Sequence, residues 1–229
     1  QCERARDEVS NTTRKGIRTM EHVEHEESLG DFTLKILPDE DGESPREWDN
    51  LGTMVCFHRR YSLGDPHTLD RETARLIAES EPSRRGNPAR KRHGGNFVLP
   101  LYLYDHSGLT MNTGGFSCPW DSGQVGWIWC SYRRARAEFG WSLSIAELSD
   151  RVYKVLRGEV ATYAQYLEGD VHGYVVEDGE GEIVDSCWGF YGLDEAISEG
   201  REALRRAVDD AQETERALAL ANSTMGAGI

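Results

Sequence analysis

The clearest pattern in the chain is a helical one. Ile145, Leu148, Val152, Leu156, Val160 (or Glu159), Tyr163 and Leu167 recur close to every 3.6 residues, which predicts an amphipathic helix ending near Leu167. Ser144 followed by Glu147 reads as a capping box at its start. A second helical period runs from Asp194 to about Ala221 through Ala196, Ile197, Leu204, Val208 and Ala211. Leu69–Ser80 and Arg133–Phe139 read as shorter helices.

Alternation with period two marks strands instead. Phe32, Leu34 and Ile36 alternate with Thr33 and Lys35, and Pro38 ends the run. Leu51–His58, Phe97–Tyr104 and Val125–Tyr132 are further strand-length apolar segments. Val171–Val176 and Ile183–Phe190 flank Asp178-Gly-Glu-Gly181, the pattern of a hairpin. Leu109–Asp121 reads as loop. The fold class expected is α+β, with a largely antiparallel sheet, one long central helix and a C-terminal helix.

The organisation that follows is a disordered N-terminal extension over 1–30, an α+β domain over 31–192, a C-terminal helix over 193–221 and a tail over 222–229. The domain carries a Gly/Pro/Arg-rich insertion at about 81–95, with a basic island from Arg84 to His93. The 229 residues suffice for one sizeable domain and a tail. Gln1 is not a start methionine, so the chain is processed or its reading frame begins at Met20.

Charge narrows the function classes. The net charge is −14, so no direct bulk nucleic-acid binding is expected from the general field. An acidic surface could instead imitate nucleic acid towards a protein. No apolar run is long enough to cross a bilayer, and the first 28 residues lack the apolar core of a secretory signal, so no membrane is expected. Cys2, Cys56, Cys118, Cys130 and Cys187 are odd in number and form no CxxC pair, which suits a reduced, cytoplasmic protein. Lysine occurs only at 15, 35, 91 and 154, a sign of GC-rich coding.

Four regions could carry chemistry, one of them the Arg84–His93 island, whose arginines could engage phosphates or only contact the protein's own acidic surface. His106, Cys118 and Asp121 offer the base, nucleophile and orienter of a small hydrolase-like enzyme, against the plain alternative of a buried thiol and an Asx-type turn. Asp39, Asp41 and Glu43, in the acidic loop Asp39–Asp49, are the candidate ligands of a divalent cation, the one cofactor considered. Their spacing does not match an EF-hand. Ser186-Cys187-Trp188 matches the nucleophile region of papain-like proteases over three residues only, and its cysteine follows a strand-like run. Trp48, Asp49, Trp120 and Gln124 are the candidate binding residues. No nucleotide-cradle or HExxH motif occurs.

Four strings occur in one order: Glu43-Ser-Pro-Arg-Glu-Trp-Asp-Asn-Leu-Gly-Thr-Met-Val-Cys-Phe-His-Arg-Arg-Tyr-Ser-Leu-Gly-Asp65, Leu99–Gly108, Phe116–Gly126 and Asp185–Gly192. Together they resemble a family of small proteins encoded by bacteriophages, archaeal viruses and plasmids, over about residues 31–192. The resemblance implies a mobile-element protein acting in the cytoplasm of a prokaryotic host, and carries over no catalytic residue. With the charge, it favours a non-enzymatic accessory protein that binds a host or viral protein, with the enzyme around 105–130 as the alternative. Oligomeric state is left open.

Overall fold

A computed structural model of the chain describes residues 22–79 and 95–226. In chain order its elements are β1 (His25–Leu29), β2 (Phe32–Pro38), β3 (Thr53–Cys56), α1 (Arg71–Ala78), β4 (Asn96–Asp105), β5 (Leu109–Asn112), β6 (Ser122–Ser131), α2 (Tyr132–Phe139), α3 (Ile145–Glu168), β7 (Val171–Glu177), β8 (Ile183–Tyr191) and α4 (Leu193–Gly226). A 3₁₀ turn at Pro45–Glu47 precedes β3. The fold is α+β, and every strand pair is antiparallel. The strands form two four-stranded sheets, β1-β2-β7-β8 and β3-β6-β4-β5.

The chain divides into two compact units. The first joins both ends of the sequence, Gln1–Gly42 and Gly169–Ile229. Leu34 and Ile36 of β2 pair with Val176 and Tyr174 of β7, and this face packs on Ala196, Ala203 and Leu204 of α4. On β7 a side chain at position 173 would collide with the Trp188 ring, 2.1 Å from an added Cβ, so Gly173 lets that indole lie flat on the strand. From Asp209 to Asn222 every residue of α4 is exposed. Arg201 on α4 holds Glu27 of β1 at 2.9 Å, and this hydrogen bond lowers the Glu27 carboxyl below its usual range.

The second unit is Glu43–Glu168. Leu148, Val152, Leu156, Val160 and Tyr163, one face of α3, are buried against Met54, Phe97, Leu101, Leu103 and Ile128 of the sheet. Each such aliphatic side chain contributes about 1.5–3 kcal/mol relative to exposure. The α3 capping box forms as expected: Glu147 accepts from Ser144 N at 2.8 Å, and Ser144 Oγ accepts from Glu147 N at 3.3 Å. At Gly126 an added Cβ would fall 1.9 Å from the Val55 carbonyl, so only glycine permits the close approach of β3 and β6.

A buried ion network ties this unit together. Arg46, 4% exposed, donates to both carboxylate oxygens of Asp65 (2.7 and 3.0 Å), to Glu159 on α3 (3.1 Å) and to the Gly52 carbonyl. Glu159 also accepts from the backbone of Leu51 and Gly52, and Asp65 from Met54 N. Burial works against the Arg46 charge, yet Asp65 and Glu159 more than offset it and hold its pKa above the usual value.

Several sequence expectations change. β1 lies inside the stretch expected to be disordered over 1–30; its His25-Glu-Glu-Ser-Leu29 sequence is polar because an edge strand with little buried surface needs no apolar alternation. β5 falls where a loop was expected, since four residues are too short to show a period. β4 passes through Pro100, which is tolerated because β5 pairs only with Tyr102–Asp105 and the missing N–H breaks no ladder there. α4 continues to Gly226, beyond the expected end near 221. Most of the N-terminal extension, Cys2, Met20, the Arg84–His93 island and residues 227–229 of the tail lie outside the described residues.

The two units differ in charge. By sequence the first holds 25 carboxylate residues and 10 Lys/Arg, a net −15, whereas the second holds 15 and 16, a net +1. The acidity of the chain belongs to one unit.

Candidate functional site

Three segments of the second unit converge at one end of its sheet. The first is the loop after β3. Phe57 N donates to the Val125 carbonyl, and the loop returns where Asp65 N donates to the Met54 carbonyl and Gly64 N to the Tyr163 hydroxyl. Between these anchors it displays His58, stacked on Tyr61 at 5.0 Å, and the exposed Arg59 and Arg60. The loop leads to α1, capped by Asp70, whose carboxylate accepts from Thr73 N and Thr73 Oγ1. Arg71 is the first residue of that helix.

The second segment is the β4–β5 turn, where Asp105 pairs with Arg60, His106 is exposed and Ser107 adopts a φ of 59°. The third is the 113–121 loop, started by Asn112, whose Oδ1 accepts from Gly114 N and Gly115 N. Its end is fastened to β4 by Asp105 N donating to the Asp121 carbonyl at 2.9 Å.

A groove of about 550 Å³ lies between these segments, lined among others by Arg59, Arg60, Arg71, Trp120, Asp121 and Gln124. A second cavity of about 760 Å³ shares Phe57, His58, Arg59 and Arg71 with it and extends to His67. His67 Nε2 donates to the Cys56 carbonyl at 3.0 Å, which leaves its buried Nδ1 without a partner.

The three residues expected to form a nucleophilic site do come together, in a different order. Asp121 Oδ2 lies 3.2 Å from His106 Nδ1 and accepts from Cys118 Sγ at 3.6 Å. One carboxylate oxygen therefore stands between thiol and imidazole. Activating a thiol calls for a base strong enough to take its proton, such as imidazole, or for a cation that favours the thiolate, at the sulfur. Here the group at the sulfur is a carboxylate, and the imidazole reaches that carboxylate. The arrangement fastens the β4–β5 turn to the 113–121 loop and shapes one wall of the groove. Cys187 lies on β8 and packs beside the α4 core, with its Sγ 3.9 Å from the Trp188 carbonyl. The other two described thiols sit in the sheet interior, where burial pushes Cys56 up to about 12 and Cys130 to about 11.

Of the candidate binding residues, Trp120 and Gln124 line the groove, whereas Trp48 and Asp49 line neither cavity. Asp49 pairs with Arg134 of α2 at 3.2 Å. The candidate metal ligands are divided between the units, Asp39 and Asp41 in the first and Glu43 in the second. Among the described residues no group of three His, Cys, Asp or Glu side chains is placed to hold a metal ion, and no described helix is long and apolar enough to cross a membrane.

Sequence reasoning passed over Arg59, Arg60 and Arg71. The signal available was His58-Arg-Arg-Tyr61 directly after a strand, the position from which loops display functional groups. Comparison of the chain with protein-family models, with curated proteins and with solved structures yields no match.

Proposed function

We propose that this chain is a non-enzymatic accessory protein of a mobile genetic element, acting in the host cytoplasm by binding a host or viral protein that carries a cationic, nucleic-acid-handling surface. The observation that carries the reading is the confinement of the acid excess to the first unit, net −15, while the rest of the chain is near neutral. Concentrated charge of one sign steers and selects a partner of the other sign.

Along α4 the charge is ordered. Glu195, Glu199, Glu202, Asp209 and Glu213 follow at steps of four, three, seven and four residues, which keeps them on one side of the helix, away from Ala196, Ala203 and Leu204. At a rise of about 1.5 Å per residue, members three or four residues apart stand about 4.5–6 Å apart along the axis, and Glu202 and Asp209 about 10 Å apart. The base within this row, Arg206, lies 3.9 Å from Asp185. A carboxylate row of this kind offers a cationic groove a substitute for a phosphate backbone.

The test is affinity capture from host lysate with the full chain and with a Glu202→Lys, Asp209→Lys, Glu213→Lys variant. The reading expects a stoichiometric protein bound by the native chain, lost from the variant and displaced by added duplex DNA. A partner held equally by both chains, or one that DNA does not displace, overturns it.

A further inference from the structure

The groove of the second unit has the opposite character to α4 and shares no residue with it. Arg59 and Arg71 line both of its cavities, and neither has a carboxylate partner among the described residues. Arg71 donates to the Phe57 carbonyl at 2.9 Å and lies over the Phe57 ring, 5.1 Å from its centre, which fixes the guanidinium without neutralising it. Arg59 makes no hydrogen bond or ion pair with the described residues. The neighbouring carboxylates have other partners: Asp65 has Arg46 and Asp70 has Thr73, while Asp105 and Asp121, which line the groove themselves, have Arg60 and Cys118 with His106 respectively. In a chain of net charge −14, two arginines that line one groove are thus without a carboxylate partner among the described residues. Guanidiniums in that state are open to an anion, and their planar forks match the oxygens of a phosphate.

The second observation is aromatic. Trp120 lines the same groove and is 92% exposed, the most exposed large apolar side chain described. An indole left in water beside a cationic pair is the layout of a stacking platform, in which the ring takes a base and the arginines take its phosphate. Gln124 adds a polar edge: its Nε2 donates to the Gly126 carbonyl at 3.3 Å, so its Oε1 remains an acceptor at the groove. A volume of about 550 Å³ is within the range of small-ligand sites.

We propose that this groove binds a nucleoside phosphate, with the phosphate on Arg59 and Arg71 and the base stacked on Trp120. The nucleotide could be free or the phosphorylated end of a single strand, since both present the same groups.

Titration calorimetry on the full chain tests this with AMP, adenosine, ribose 5-phosphate and a short oligonucleotide with and without its 5′-phosphate. AMP is expected to bind about tenfold or more tightly than either adenosine or ribose 5-phosphate, because each lacks one half of the recognition. Arg59→Gln and Arg71→Gln should each weaken AMP about tenfold and flatten its salt dependence. Trp120→Ala should weaken AMP and leave ribose 5-phosphate unchanged, a split that a merely structural role would not give. All three side chains are exposed, so an unchanged urea midpoint verifies that the variants fold. Tighter binding of the oligonucleotide than of AMP, lost with its 5′-phosphate, assigns a strand end; AMP binding as tightly or more so assigns the free nucleotide. Adenosine binding as well as AMP, no heat from AMP or the phosphorylated oligonucleotide at millimolar concentration, or arginine variants that bind like the native chain each overturn the proposal.

Discussion

The two units of this chain use the same kind of sheet and hold it in different ways. In Gln1–Gly42 with Gly169–Ile229, one helix covers one face of four antiparallel strands with a small aliphatic core, and the charges sit outside. In Glu43–Glu168, three helices accompany the sheet, the core is larger, and a buried arginine with two carboxylates joins the 3₁₀ turn, the loop after β3 and α3. Electrostatics follows the same division, −15 against +1. The lesson is that a net charge of −14 is a sum over unlike surfaces. It argues against phosphate binding for the acidic unit and leaves the cationic groove of the other unit untouched.

The largest effect expected from this contrast is at Arg46. Arg46→Ala leaves Asp65 and Glu159 in place without their cation, and breaking a buried pair on one side costs about 3–5 kcal/mol. Urea unfolding followed by tryptophan fluorescence measures it well, because Trp48, Trp120, Trp127, Trp129 and Trp141 all belong to this unit. A loss below about 1 kcal/mol would place the network among exposed pairs and remove it as a distinguishing feature.

The counterpart in the acidic unit is Leu34→Ala. Leu34 is fully buried against α4, so the expected cost is about 2–5 kcal/mol. Hydrogen exchange should show the loss in β2, β7 and α4 with β4, β6 and α3 unchanged. Equal loss throughout would mean that the chain unfolds as one cooperative body, and the comparison would fail energetically while remaining true of the charge.

A smaller effect separates the units by pH. Burial, with the nearby Asp65 charge adding to it, pushes the Cys56 thiol up to about 12 from an ordinary 9.0. Between those values the unfolded chain loses its proton first, so the unfolded state binds fewer protons and stability falls as pH rises. At pH 10 the loss is about 1.4 kcal/mol from this group, and Cys130 adds to it in the same direction. Below about pH 8 both thiols are almost wholly neutral in either state and contribute almost no slope. Cys56→Ala should flatten the fall in urea midpoint between pH 9 and pH 10; an unchanged slope would show that the thiol does not report burial.

The readable part of the fold was local. The α3 period, its Ser144–Glu147 cap, the β7–β8 hairpin and the strand through Phe97–Tyr104 depend on residues within a few positions of one another, and the sequence showed each of them. β1 and β5 escaped because a short or polar edge strand owes its existence to the strand beside it. At the site, His106, Cys118 and Asp121 were legible as neighbours, whereas the order in which they touch was not: it depends on where the β4–β5 turn and the 113–121 loop are fastened.

By itself the sequence determined the class of fold, the long helices with the Ser144–Glu147 cap, and the total charge, because propensity, periodicity and composition are properties of the chain read in order. Only the tertiary structure decided that the two ends of the chain make one sheet and the middle another. A period of two says which side chains share a face and leaves the partner strand open. The same is true of Arg46 reaching Glu159 across 113 residues, and of Arg59, Arg71 and Trp120 lining one groove. Contacts over such distances are set by how the strands pair, and no local pattern records them.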